Sequence, residues 1–254
     1  MMYKRHLTAC FTGLLMLLLQ GCSGSGEAKF YGKLAGEPFN PNKTVFAYSV
    51  TKDAAGELLA QPYMIIVMTS FAFNPTKDFS KFSPERLGSM RDKLLRSHAL
   101  IIRVVLPPAP ESSNGLSFSS ATHPDRDPQG QGKARHRVQI GTREKVTTQR
   151  VAVSTFLQLS IDSNAPTGDP PMLEGRVLLE RIDPLNPSGG QPVSSSESAQ
   201  SVNGRFKAPI FSQEQTEQNM RLLLDVPLDP PEPVEGQEEK FQIIDLFYPI
   251  PASS

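Results

Sequence analysis

The sequence predicts a mainly β fold: an antiparallel β-sandwich with one helix and long polar loops. Three observations predict it. From residue 30 onward, apolar and polar residues alternate in short runs, and clusters of Pro, Gly, Asn, Asp and Ser separate these runs. This pattern is typical of strands and turns. A single segment has the apolar spacing of a strong amphipathic helix. The 254 residues also include 23 prolines, which favours irregular connections between the elements.

The strands are expected wherever alternation or apolar continuity persists for several residues. Alternation on one face, as in Phe46, Tyr48 and Val50, predicts a strand with one buried face. Two runs are apolar almost throughout and predict burial of both faces. These are Tyr63–Phe71 and Leu100–Leu106. The other expected strands are Phe30–Leu34, Thr44–Val50, Arg135–Gly141, Arg150–Ile161, Leu173–Ile182, Arg205–Ile210, Met220–Val226 and Phe241–Phe247.

The helix is expected between the two continuous runs, over about residues 84–97. Ser83 is suited to cap its first turn, and Pro84 suits the first helical position, where no N–H donor is needed. Its apolar stripe consists of Leu87, Met90, Leu94 and Leu95. An alternative fold is α+β, with a small mixed sheet in which this helix connects two parallel strands in one βαβ unit.

Three polar segments, rich in Pro, Ser, Gly or acidic residues, are expected to be disordered loops. They lie near residues 107–133, 184–203 and 227–239. We predict that residues 30–250 form a single β-rich domain around these loops.

The overall charge excludes any global case for nucleic-acid binding, because 26 basic and 26 acidic side chains balance. The local charge is uneven. Residues 126–150 carry seven Lys or Arg against two acidic residues, and residues 213–245 carry nine acidic residues against two basic ones. The simpler interpretation is that both segments are solvated loops and outer strand faces. The sharper hypothesis is that the basic segment contacts anionic lipid headgroups or an acidic partner, through Lys133, Arg135, Arg137, Arg143, Lys145 and Arg150.

The first residues have the layout of a secretory signal peptide. Lys4, Arg5 and His6 precede a run of thirteen small or apolar residues from Leu7 to Leu19. Thirteen helical residues span roughly 20 Å, which is too short for a hydrocarbon core of about 30 Å. Both cysteines, Cys10 and Cys22, lie in or just after this segment, so the body has no disulfide framework.

The tetrapeptide Leu19-Gln20-Gly21-Cys22 follows directly and resembles the lipobox of bacterial lipoproteins. The resemblance covers about the first 22 residues and implies cleavage between Gly21 and Cys22. It further implies that Cys22 carries a thioether-linked diacylglycerol and usually an amide-linked acyl chain. Two or more chains give stable membrane anchoring. Residues 22–29 are then expected to be a flexible tether. The residue after Cys22 is Ser23 rather than Asp, so the resemblance implies the periplasmic face of the outer membrane.

Candidate catalytic or metal-binding residues are few. His123, Asp125, Asp127 and His136 are weak candidates for a divalent cation site, since their donors suit one but the glycine and glutamate of a calcium loop are missing. Ser49 and Lys52 match the Ser-x-x-Lys motif of penicillin-recognising enzymes, yet neither partner motif of that family occurs. We interpret this match as chance.

The sequence therefore favours a lipid-anchored, non-catalytic binding or assembly module of the bacterial envelope, with a possible envelope protein partner. No cofactor is predicted. The alternative is an envelope hydrolase whose site is assembled from dispersed residues, with Ser49 and Lys52 or the group from His123 to His136 as its candidates.

Overall fold

A computed structural model describes residues 25–34, 37–53, 56–105, 117–121, 136–141, 149–162, 168–184 and 201–225. This part of the chain forms ten strands, two α-helices and a 3₁₀ turn at Phe79–Lys81. The strands are β1 (Glu27–Leu34), β2 (Glu37–Pro38), β3 (Thr44–Lys52), β4 (Leu58–Thr69), β5 (Ala99–Val105), β6 (Ser117–Ala121), β7 (His136–Gly141), β8 (Gln149–Asp162), β9 (Met172–Pro184) and β10 (Ser201–Phe211). The helices are α1 (Pro84–Leu95) and α2 (Gln213–Leu224).

The strands form one mixed sheet that closes on itself. Its order is β2-β1-β10-β3-β4-β5-β7-β8-β6, and β9 pairs with both β10 and β8. Seven strands therefore pair in a ring: β3, β4, β5, β7, β8, β9 and β10. Neighbours in the ring are antiparallel except β10 and β3, which are parallel at Ile210↔Ala47 and Phe211↔Tyr48.

The mainly β fold class is confirmed. A sandwich would have two separate sheets. Here the two layers are opposite sides of one curled sheet, because β9 pairs with β10 along one edge and with β8 along the other and so closes the ring. The alternative βαβ unit is wrong. β4 and β5, which flank α1 in the chain, are antiparallel neighbours from Tyr63↔Val105 to Thr69↔Ala99.

The inside of the ring is one apolar core to which most strands contribute every second residue. Its members include Val45, Ile66, Ile102, Leu159, Leu179 and Phe206. Gly175 is part of this packing, because a Cβ there would collide with the ring of Phe206 on the neighbouring strand. The interior thus follows the two-residue period of the strand sequences.

A second core lies on the outer face of β3, β4 and β5. Phe46, Tyr48, Tyr63, Ile65 and Val67 are buried there under the two helices and the 3₁₀ turn. The helices contribute Leu94, Met220, Leu223 and Leu224. The expectation that β4 and β5 are buried on both faces is confirmed.

Helix α1 is confirmed close to its expected bounds. The Ser83 hydroxyl accepts a hydrogen bond from the Arg86 N–H at 3.3 Å, and Pro84 occupies the first turn. Leu94 is fully buried, while Leu87 and Met90 pack against the second core from partly buried positions.

The strand expected at Met220–Val226 is wrong, since these residues belong mostly to α2. The run Leu222-Leu223-Leu224 has no clear period by itself. Met220 and Leu223, with Thr216 and Asn219, recur at the three- and four-residue spacing of a helix and are buried. The helix ends where Asp225 adopts a left-handed conformation, with φ of 62°.

Two of the three segments expected to be loops include residues that form strands. β6 lies within the first segment, while β9 extends to Pro184 and β10 begins at Ser201 in the second. Their remaining residues, the third segment and the strand expected at Phe241–Phe247 lie outside the described residues.

The segment expected to be a tether is also partly structured. Ser25 Oγ donates to the Lys43 carbonyl at 3.2 Å, and the Gly26 N–H donates to the Val45 carbonyl at 2.7 Å. Strand β1 begins at the next residue, so residues 25–29 of this segment belong to the folded sheet or are bonded to it.

Candidate binding groove between the two helices

An open groove of about 1360 Å³ lies between α1, α2 and the turn that follows β3. Apolar contacts come from Pro84, Leu87 and Leu222. Gly88 of α1 also lines it, and no atom lies within 4 Å of the position that a Cβ would take there. The polar lining includes Lys52, Asp53, Gln213, Glu217, Arg91 and Arg221.

Gln213 fixes the first turn of α2 to the end of β3. Its Oε1 accepts from the Thr51 N–H at 2.8 Å and from the Thr51 hydroxyl at 3.2 Å. Its Nε2 donates to the Lys52 carbonyl and to Glu217 Oε2, both at 2.9 Å. One side chain thereby sets the position of one groove wall.

Two arginines complete the polar walls. Arg221 donates through Nε and Nη2 to Glu217 Oε1, at 3.0 Å in each case, and the two side chains are only 10% and 16% exposed. Arg91 of α1 reaches α2, where Nε donates to the Leu223 carbonyl and Nη1 to Asp225 Oδ2, both at 3.0 Å. Arg91 therefore links the two helices, while the Arg221–Glu217 pair lies within α2.

Asn219 attaches α2 to the connection between β4 and α1. Its Oδ1 accepts from the Phe79 N–H at 3.0 Å, and its Nδ2 donates to the carbonyls of Pro75 and Lys77 at 2.7 and 2.9 Å. Asn219 is buried, so these bonds satisfy backbone groups that are shielded from water.

Two buried tyrosines lie in the second core near these charges. Burial raises the pKa of Tyr48 well above its usual value, and the nearby Glu217 carboxylate raises it further. The Tyr48 hydroxyl has no hydrogen-bond partner among the described residues. Burial raises the pKa of Tyr63 to about 12, although the Arg103 guanidinium, 3.8 Å from the ring centroid, acts in the opposite direction. Both phenols are therefore neutral at physiological pH and unsuited to act as bases.

The residues expected to form a metal site do not come together in the described part of the chain. His123, Asp125 and Asp127 lie outside it, and His136 begins β7. Among the described residues, no three His, Cys, Asp or Glu side chains are grouped as a metal site requires.

The Ser-x-x-Lys match lies on a strand. Ser49 of β3 pairs with Met64 of β4, and the strand register shifts between Val50 and Lys52. In the enzymes that use this motif, the serine opens a helix, where positions i and i+3 share a face. A strand instead alternates its side chains between faces, so this segment lacks the geometry of that motif.

The other sequence-predicted residues fall mostly outside the described residues. These are Gly21, Cys22, Lys133, Arg135, Arg143 and Lys145. Arg137 and Arg150 lie in β7 and β8, where the structure describes their backbone alone. The contact predicted for the basic segment stays a prediction.

The side chains of α2 that form the groove or attach the helix were not predicted from the sequence. Gln213, which lines the groove, and Asn219, which attaches α2 to the connection after β4, are the clearest cases, because both belong to a helix that was not predicted. Ser212 before Gln213, with Thr216, Met220 and Leu223 at helical spacing, is the signal that would have located α2.

No protein-family model, curated protein sequence or solved structure matches this chain. Neither of the helices in the described part of the chain has the length and apolar character needed to cross a membrane.

Proposed function

We propose that the protein is a lipid-anchored, non-catalytic binding module on the periplasmic face of the outer membrane, and that the groove between α1 and α2 holds a segment of an envelope protein. The observation that carries this proposal is the groove itself. Its volume of about 1360 Å³ exceeds the roughly 300–1,000 Å³ of typical small-molecule pockets, which favours a peptide segment.

The chemistry of the groove supports binding rather than catalysis. Glu217, Arg221 and Gln213 bond to one another or to β3, and Arg91 bonds to α2. These groups serve the fold. Pro84, Leu87 and Leu222 offer apolar contact between them, as in grooves that accept the apolar face of a peptide helix.

The anchor is supported by the resemblance of Leu19-Gln20-Gly21-Cys22 to a lipobox. We expect a Cys22→Ala variant to carry no lipid. Its mature form should then be absent from the washed outer-membrane fraction. Normal processing of this variant together with full retention in that fraction would contradict the anchor.

The groove is tested by filling it. Gly88→Phe adds a ring where the structure has open space, so the fold should tolerate it. The matched control is Ser89→Phe, at the neighbouring exposed position of α1 that does not line the groove. A photo-crosslinking residue at Gln218 then reports on the groove, and one at Lys93 reports on the helix surface outside it.

We expect an envelope protein to crosslink at position 218 but not at 93, and Gly88→Phe to abolish the adduct while Ser89→Phe preserves it. An adduct that survives Gly88→Phe in a normally folded protein would exclude the groove as the binding site. Labelling of the mature protein by a serine-reactive probe, or one bound metal ion per chain, would instead favour the hydrolase.

A further inference from the structure

The sheet has a second distinctive surface, on the outer face of β1, β10, β9 and β8. The helices leave this part of the sheet uncovered. Its residues form rows across the paired strands, and the first row is Glu27, Lys207 and Glu174. The next is Lys29, Arg205 and Arg176, which we name the cation row. An open depression of about 870 Å³ includes both rows.

The two rows differ in how their charges are balanced. In the first, Lys207 Nζ lies 2.9 Å from Glu174 Oε1. The cation row instead places three positive side chains opposite one another, all of them exposed. No carboxylate pairs with them among the described residues. Like charges at directly paired strand positions destabilise a sheet, so an anionic partner would relieve this row.

Exposed aromatic rings lie beside the cation row. Tyr31 is 53% exposed, and Phe156 is 39% exposed on β8. Lys29 Nζ lies 5.4 Å from the Tyr31 ring centroid. Rings with one apolar body and a wet edge are typical of membrane–water interfaces, where cations meet phosphate groups.

The position of this surface relative to the N terminus identifies the anion. Ser25 and Gly26 are hydrogen-bonded to β3, and the cation row begins at Lys29 on β1. Three residues from Cys22 to Ser25 extend at most about 11 Å. A lipid on Cys22 would therefore hold the start of β1 at the headgroup layer.

We propose that this face docks on the anionic phosphate headgroups of the membrane that anchors the protein. The proposal rests on the proposed lipid anchor. The cation row supplies charge complementarity, and Tyr31 and Phe156 contact the interfacial layer. Docking orients the opposite, helix-bearing side of the sheet, with its groove, toward the periplasm.

The test uses the mature lipidated chain in vesicles. Removal of the signal peptide eliminates Cys10, and the lipid blocks Cys22, so an introduced cysteine is the single free thiol. Gln158→Cys places a fluorophore beside Arg176 on the docking face, since these positions are paired. Ser89→Cys places it on α1 as the control. Quenching by nitroxide-labelled headgroups measures how close each label lies to the membrane.

We expect strong quenching at position 158 and weak quenching at 89 in vesicles containing phosphatidylglycerol, with the difference lost in pure phosphatidylcholine or at high salt. Neutralising the row with Lys29→Gln, Arg176→Gln and Arg205→Gln should lower the ratio of docked to undocked protein roughly fivefold per cation, or about hundredfold in total. Lys77→Gln, Lys81→Gln and Lys93→Gln make the same charge change away from this face and should preserve docking.

Equal quenching at the two positions, or docking that survives neutralisation of the row, would overturn the proposal while the anchor stands. Displacement by inorganic phosphate beyond that caused by chloride at equal ionic strength would also overturn it, in favour of a site for the free ion. A reactive Cys22 in the chain without an introduced cysteine would overturn the anchor, and the docking with it.

Discussion

Two regions of the same sheet differ in what covers their outer face. β3 is buried over its first five residues, so both of its faces are covered. β10 alternates between exposed and buried positions over Ser201, Val202 and Asn203, and only its inner face is covered there. Both strands contribute to the core inside the ring. The difference shows that closing the sheet buries one face of both strands, and that the helices bury the second face of β3 but not of this part of β10.

The largest expected effect comes from the covered region. Phe46 is fully buried among Phe73, Phe211 and Tyr48, with ring centroids 6.0–6.5 Å apart. We expect Phe46→Ala to lower the free energy of unfolding by about 3–5 kcal/mol, because it removes a large apolar side chain and leaves a cavity. Urea unfolding followed by circular dichroism measures this.

The control for that substitution lies in the uncovered region. Tyr31→Ala removes an aromatic side chain that is mostly exposed, so we expect it to lower the free energy of unfolding much less than Phe46→Ala does. Similar losses for the two variants would contradict the distinction between a covered and an uncovered part of the sheet.

The second-largest expected loss of stability concerns the attachment of α2 to the connection between β4 and α1. Asn219→Ala removes three hydrogen bonds to backbone groups around the 3₁₀ turn. We expect a loss of about 2–3 kcal/mol, because buried backbone groups are left without partners. Gln215→Ala, which removes one exposed bond to the Thr76 carbonyl, should cost much less. Thermal unfolding of both variants compares them, and an equal shift would argue against Asn219 as the attachment point.

The covered region was also the better predicted from sequence. Continuous apolar runs predicted that both faces of β4 and β5 are buried, and Ser83 with Pro84 predicted the start of α1. These predictions were possible because the signals are local in the sequence. α2 escaped prediction since its first two turns are largely polar and its only apolar run, Leu222 to Leu224, has no period of its own.

The two surfaces proposed to bind were not predictable from sequence for a different reason. The cation row joins Lys29 to Arg176 and Arg205, which are distant in the chain, and only the strand register places them side by side. Neither the groove nor this row has a sequence motif. The concentration of basic charge visible in the sequence is instead residues 126–150, where seven basic residues lie close together along the chain.

The buried tyrosines beneath α2 predict a loss of stability at alkaline pH that arises in the covered region. The pKa of Tyr63 is raised from 10.0 to about 12 in the folded protein. Between these values the folded state holds the proton that the unfolded state has lost, so stability falls as pH rises. The expected loss is about 1.4 kcal/mol per pH unit for each such tyrosine.

Urea unfolding at pH 9 to 11.5 measures this decline, and a Tyr48→Phe, Tyr63→Phe double variant should show a shallower one. Tyr31→Phe is the control on the uncovered face; because the Lys29 side chain lowers the pKa of Tyr31 instead of raising it, this variant should not make the decline shallower. A double variant that loses stability as steeply as the wild type would show that other groups cause the alkaline unfolding.

The smallest expected effect lies in the uncovered region and has the opposite sign. Arg205 lies between Lys29 and Arg176 in the cation row, so Arg205→Gln should raise the free energy of unfolding by about 0.2–1 kcal/mol, because it removes like charges at paired positions. Lys207→Gln removes the exposed partner of Glu174 in the adjacent row and should lower the free energy of unfolding slightly, because exposed ion pairs contribute little to stability. Urea unfolding of the unlipidated protein at low salt, where screening is weakest, resolves the two signs. If Arg205→Gln is instead destabilising, the cation row stabilises the folded sheet by itself and has no like-charge repulsion for an anionic partner to relieve.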